Sequence, residues 1–179
     1  MHTNTLILIG FKNVGKSSIG LELARQIQGS FIDLDEAIET AYAAAQTKKL
    51  SCREIAQTHG EDYFRTLEKS VFAETIQKKP AVLSLGGGTV MDGDNQALLK
   101  GHVVIHITAP YDLVFERIMS NGLPSFFPVD ESPHTSFYLL WEERDAVYRQ
   151  LATFRINNNG TIAAAVEKIL NHNYFREMS

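Results

Sequence analysis

The residues Gly10-Phe11-Lys12-Asn13-Val14-Gly15-Lys16-Ser17 have the spacing G-x-x-x-x-G-K-[ST]. They follow an apolar run and open a stretch of helical periodicity, the context in which this spacing makes a phosphate-binding loop. Backbone N–H groups of such a loop point at phosphate oxygens, and the helix dipole adds about half a positive charge at the same place. Lys16 would reach the β- and γ-phosphates and the Ser17 hydroxyl would ligate magnesium. Asn13, Val14, Gly15 and Ser18 complete the cradle within residues 10–18. Asn13 stands where many such loops carry glycine, and asparagine tolerates left-handed backbone better than other non-glycine residues.

Four further clusters could do chemistry. Asp33 and Asp35 flank Leu34 at the end of a predicted strand and are read as pointing in different directions. Asp35 also suits a helix N-cap. Arg65 lies in Gly60-Glu61-Asp62-Tyr63-Phe64-Arg65 and Arg144 in Arg144-Asp145-Ala146-Val147-Tyr148. A planar guanidinium binds a carboxylate bidentately, and lysine does not replace it well. The plain alternative is a surface ion pair, for Arg65 with Glu61 or Glu68. Gly86-Gly87-Gly88 lets backbone approach a ligand where a Cβ would collide, or is simply a turn. Trp141, Phe137 and Tyr148 are read as packing.

These residues need a scaffold of alternating strands and helices. Strands are predicted at Thr5–Ile9, Phe31–Asp33, Ala81–Leu85, His102–Thr108 and Phe154–Asn157. Helices are predicted at Ser17–Gln28, Asp35–Ala45, Cys52–Gln57, Asp62–Gln77, Asn95–Leu99, Tyr111–Asn121, Phe137–Ala152 and Thr161–Leu170. Pro110 is expected as an early helical residue. That alternation predicts an α/β fold, three layers deep, with a five-stranded parallel sheet between helices. The stretch Gly122–Ser136 holds three of the five prolines and no Lys or Arg, and reads as a long loop of the kind that serves as a lid.

Composition narrows the field. The chain has 179 residues, 44% of them hydrophobic and 21% charged, as expected for one globular domain over 1–179. Its net charge of −4 argues against nucleic acid or a membrane surface as partner. A lone cysteine, Cys52, makes neither an internal disulfide nor a cysteine zinc site. No apolar run approaches the length of a membrane span or signal peptide. A cytoplasmic protein is expected, and nothing calls for more than a monomer. A small GTPase is excluded, because no Asp stands three residues before a Gly and no Asn precedes a Lys.

Taken in order from about Leu6 to Leu170, these markers resemble the shikimate kinase family. The resemblance implies a P-loop, nucleoside-monophosphate-kinase-like fold, with a substrate-binding helical segment at about 35–65 and a lid at about 122–136. It implies ATP-dependent phosphorylation of the 3-hydroxyl of shikimate, with Mg2+. In that reading Asp33 holds magnesium through water, and Lys16 and Asp35 are catalytic. Asp35 receives the substrate hydroxyls and orients or deprotonates the attacking one. Arg65 and Arg144 clamp the substrate carboxylate, and Gly86, Gly87 and Gly88 line the ring. Arg117 and Arg155 resemble the arginines that sandwich the adenine; exposed charges are their plain alternative. Glu61 and Glu68 order Arg65 or the helix start.

One departure from the family pattern bears on catalysis. The family lid usually carries Arg-Pro-Leu-Leu, whereas this chain has Leu123-Pro124-Ser125-Phe126. A phosphate-clamping arginine is worth roughly 10³–10⁵ in rate in related phosphate-loop systems. Two other functions therefore stand beside the kinase: an impaired or regulatory protein that binds the same ligands, and a kinase for another small sugar acid.

Overall fold

A computed structural model of the chain describes residues 4–120 and 132–176. The chain runs β1 (Leu6–Ile9), α1 (Lys16–Gln26), β2 (Phe31–Asp33), α2 (Leu34–Gln46), α3 (Cys52–His59) and α4 (Glu61–Gln77). It continues through β3 (Val82–Ser84), a 3-10 turn (Thr89–Met91), α5 (Gly93–Ala97), β4 (Val103–Thr108) and α6 (Tyr111–Met119). After α7 (Pro133–Leu151) come β5 (Phe154–Asn157), α8 (Ile162–Leu170) and α9 (Asn173–Arg176).

The five strands form one sheet in the order β2-β3-β1-β4-β5, and every neighbouring pair is parallel. Helices cover both faces, so each residue of β1, β3 and β4 is buried. Short unbroken apolar runs such as Leu6-Ile7-Leu8-Ile9 are what a strand buried on two sides requires. On the edge strand β5, burial alternates instead. Leu8 faces α1, where it touches the helix at Gly20. Ile9, His106 and Arg155 share a row across β1, β4 and β5. That row lies on the α7 side, because the His106 ring meets Tyr148 and Asp145.

The carboxyl ends of parallel strands are where an α/β sheet opens a crevice. Here the phosphate loop leaves β1, the Asp33–Asp35 step leaves β2, and Gly86–Gly88 follows β3. Because β3 lies between β2 and β1, the glycine segment sits between the acidic step and the loop.

Three local expectations change. Helix α2 starts at Leu34, so Asp35 stands in its first turn, and the cap is Asp33, whose side chain accepts the Asp35 N–H. Two residues apart on a strand would share a face; the switch from strand to helix is what separates Asp33 from Asp35. Helix α7 starts at Pro133, so the stretch expected to be loop through Ser136 is helical from Pro133 on. Proline fits the first helical position, where its missing N–H costs nothing. Residues 122–131 of that stretch, Leu123 included, lie outside the described residues. Pro110 is the residue before α6, with extended ψ of 135°, and not within it. Among the described residues no helix is long and apolar enough to cross a membrane.

Candidate active site

The phosphate loop closes on conformations few residues adopt. Gly10 has φ +143°, and a Cβ there would lie 2.1 Å from the Ile107 carbonyl oxygen. Asn13 takes φ 65°, the left-handed backbone its residue type was expected to tolerate. Gly15, at φ 98°, precedes the first residue of α1. Lys16 is buried and its Nζ donates to the carbonyls of Gly10 (3.0 Å) and Phe11 (2.9 Å). Burial pushes its pKa down to about 8, against the pull of Asp35 and Asp33. A phosphate ligand would offer this ammonium better acceptors than two neutral carbonyls.

Two distant elements brace the loop. Arg117 on α6 donates from Nη1 to the Asn13 carbonyl at 3.1 Å, and Asn13 Nδ2 donates back to the Arg117 carbonyl at 3.3 Å. Asn158, just past β5, donates from Nδ2 to the Val14 carbonyl at 2.9 Å, and its own N–H is held by the Thr108 carbonyl at 2.7 Å. Sequence reasoning missed Asn158; the run Asn157-Asn158-Asn159 after the last strand was the available signal. Arg155 is exposed on β5 and in register with His106, whereas Arg117 is bonded to the loop.

Past the end of β2, Asp33 Oδ1 accepts the Asp35 N–H at 3.0 Å. The Asp35 carboxylate lies against Gly86, with Oδ1 2.9 Å from where a Cβ would stand. Burial, and then the charge of Asp33, raise its pKa to about 6. A carboxyl that titrates there can accept a proton near neutral pH. Cys52 donates its S–H toward the Asp35 carbonyl at 3.5 Å, and burial pushes its thiol well above the usual range.

Arg65 lies over Gly88, where a Cβ would come within 2.9–3.2 Å of the guanidinium. It pairs with Glu61 at 2.7 Å and with Glu68 at 2.7 Å, so the ion pairs weighed as its plain alternative are present here. Glu68 is 2% exposed, and its other oxygen accepts the Thr89 hydroxyl at 2.7 Å. The carboxylate thus ties Arg65 to the turn that follows the glycines. Arg144 on α7 lies over the Phe11 ring, 5.4 Å from its centroid, one helical turn before Tyr148. Tyr148 donates to the Gly87 carbonyl. Its assignment to packing is therefore incomplete; the ring is buried, but the hydroxyl has a directed bond. Phe137 and Trp141 do pack, in a cluster with Phe11 and Tyr111.

Oxygen donors suited to magnesium stand in this crevice: the Ser17 hydroxyl at the start of α1, and the Asp33 carboxylate, of which the cap uses one oxygen. Magnesium takes one or two protein oxygens and completes its shell with water and phosphate, so the pair fits. No cluster of three or more His, Cys, Asp or Glu side chains able to hold a metal occurs among the described residues.

The family model described as shikimate kinase matches residues 12–173. A shikimate kinase of Thermus thermophilus is 37% identical over 171 residues, covering 92% of this chain and 89% of its own. A bifunctional shikimate kinase/3-dehydroquinate synthase of Thermotoga maritima is 32% identical over 92% of this chain, which spans only 32% of that longer protein. Among solved structures, the shikimate kinase of Acinetobacter baumannii in complex with shikimate superposes with a TM-score of 0.85 at 26% identity, over 98% of this chain and 96% of that one.

Proposed function

The chain belongs to the shikimate kinase family, and we propose that it transfers the γ-phosphate of ATP to the 3-hydroxyl of shikimate. The observation that carries this reading is the convergence on Gly86–Gly88. Asp35 lies against the first glycine, Tyr148, one turn after Arg144 on α7, bonds the second, and Arg65 covers the third. The Lys12 backbone N–H group of the phosphate loop passes close to the middle one. A carboxylate, a guanidinium group, the helix that carries a second one, and the phosphate loop thus surround one short segment of backbone.

The roles follow from that arrangement. Loop N–H groups and Lys16 hold the phosphates, with Lys16 leaving the Gly10 and Phe11 carbonyls to do so. Ser17 and, through water, Asp33 would hold magnesium, which when bound would neutralise charge at the phosphates. Asp35 orients the acceptor hydroxyl and takes its proton. Arg65 and Arg144 bind the acceptor carboxylate, for which Arg65 exchanges its exposed partner Glu61 while Glu68 keeps the guanidinium in place. Positioning and charge stabilisation are most of what phosphoryl transfer needs. Arg117 and Arg155 are assigned to the adenine. The protein acts as a monomer in the cytoplasm.

The test is ADP release from magnesium-ATP by the purified protein, with and without shikimate. Strong stimulation by shikimate is expected. Its absence, with no shikimate binding by calorimetry, would overturn the reading. A second reading is favoured by one feature of the sequence, the lack of any Lys or Arg in 122–136. It is a protein that binds shikimate and nucleotide but turns over slowly, and calorimetric binding without stimulated ADP release is its signature.

A further inference from the structure

We infer that Tyr148 is a positioning residue for acceptor binding, its hydroxyl setting the distance between the glycine segment and the helix that carries Arg144. The inference rests on the kinase reading above. Three successive glycines have no side chains with which to fix their own place, and each has wide conformational freedom. Their position must therefore be imposed from outside. Gly86 and Gly88 are crowded by Asp35 and Arg65, the side chains that meet the substrate in the proposed reaction, and Arg65 exchanges a partner to do so. The Tyr148 hydroxyl is different. It donates to the Gly87 carbonyl from a ring that is 1% exposed and packed against His106, with ring centroids 5.1 Å apart. Nothing in the proposed reaction requires that ring to move.

The same side chain stands four residues after Arg144, so the two lie on one face of α7. One hydroxyl thereby joins the backbone that lines the acceptor to the turn of α7 that carries the guanidinium for its carboxylate. Gly87 also lies against the phosphate loop, where a Cβ would be 3.2 Å from the Lys12 nitrogen. Loss of the hydroxyl would free the glycine segment and the Arg144 end of α7 to shift relative to each other, and leave the loop itself bonded as before.

The test is Tyr148→Phe, which keeps the buried ring and deletes only the hydroxyl. The expected kinetic result is a KM for shikimate raised about tenfold, the scale of one lost hydrogen bond, with the KM for ATP within about twofold of the parent. The expected result in the free protein is faster amide hydrogen exchange at Thr89 and Met91, whose N–H groups bond to the Gly86 and Gly88 carbonyls, with β4 unchanged. A folded Tyr148→Phe protein with both KM values and the exchange pattern of the parent would overturn the inference and show that the residue only packs. Equal rises in both KM values would overturn it too, by pointing to general loosening. Should the parent protein itself fail to phosphorylate shikimate, the kinase reading falls, and the exchange at Thr89 and Met91 still decides whether Tyr148 holds the segment.

Discussion

Asp33 caps the helix that carries Asp35: Asp33 Oδ1 accepts the Asp35 N–H at 3.0 Å. The bond fixes the first turn of α2, and with it the Asp35 carboxylate against Gly86. The proximity has an electrostatic side as well, since the Asp33 charge disfavours ionisation of Asp35. Asp33 thus has two separable effects, one from its shape and one from its charge.

Substitutions can divide them. Asparagine caps as well as aspartate, whereas alanine loses the cap at about 1 kcal/mol. Asp33→Asn is expected to keep the thermal stability of the parent and lose much of its activity, and Asp33→Ala to lose both. The acid limb of the Asp33→Asn rate profile should also move below that of the parent, because one like charge beside Asp35 is gone. Thermal unfolding and initial rates from pH 4.5 to 9 measure both effects.

The parent profile follows from two groups. In the proposed reaction Asp35 must be ionised to accept the hydroxyl proton, and its pKa is raised to about 6; Lys16 must be protonated to hold phosphate, and its pKa is lowered to about 8. A plot of kcat/KM against pH reports groups of the free enzyme. It is expected to be a bell with an acid limb near pH 6 and an alkaline limb near pH 8. A profile flat from pH 5 to 7 would remove Asp35 from the role of base.

His106 makes a prediction about stability. Burial lowers its pKa from 6.5 to about 4, outweighing the nearby Asp145. Between those values the unfolded chain binds more protons than the folded one, so stability contributed by His106 is complete above pH 6.5 and is lost as pH falls toward 4. The difference amounts to about 3 kcal/mol at most. His106→Leu is expected to weaken the acid sensitivity of the urea midpoint across this window. An unchanged slope would mean that His106 has the same pKa in the folded and unfolded chain.

Two glycines should answer alanine differently. At Gly10 the new Cβ meets the Ile107 carbonyl at 2.1 Å in a backbone conformation side chains rarely adopt, so Gly10→Ala is expected to cost about 3 kcal/mol or more. At Gly88 the neighbour is the flexible end of Arg65. Gly88→Ala is expected to fold with a loss under about 1 kcal/mol and to raise the KM for shikimate by displacing that guanidinium. Calorimetric melting and steady-state kinetics on the pair separate the two outcomes.

What the sequence disclosed and what it hid divide along contact range. The phosphate loop was legible because its chemistry lies within eight consecutive residues, down to the left-handed Asn13. The parallel sheet was legible because each strand is a short apolar run between helical stretches. The role of Tyr148 was hidden because its bond to Gly87 spans 61 positions, and no local pattern marks which buried tyrosine has a partner. The capping of α2 was misread at short range, since the choice between Asp33 and Asp35 depends on where pairing with β3 ends, at Asp33 against Ser84. The start of α7 was placed late for a related reason: the proline read as a loop signal is the first residue of the helix.

The longest of these contacts supplies the last prediction. Asn158 bonds the Val14 carbonyl across 144 positions of sequence, and it is 5% exposed. Asn158→Ala leaves that buried carbonyl without its donor, a loss of about 1–3 kcal/mol. The effect on function should be one-sided. Val14 belongs to the nucleotide loop, while Asp35, Arg65 and Arg144 are anchored by α2, α4 and α7. The KM for ATP is therefore expected to rise several-fold, with the KM for shikimate close to that of the parent. This is the mirror image of the pattern expected for Tyr148→Phe, and the two variants measured side by side test whether the two halves of the crevice are held by separate anchors. A parallel rise of both constants in both variants would mean that the crevice moves as one piece.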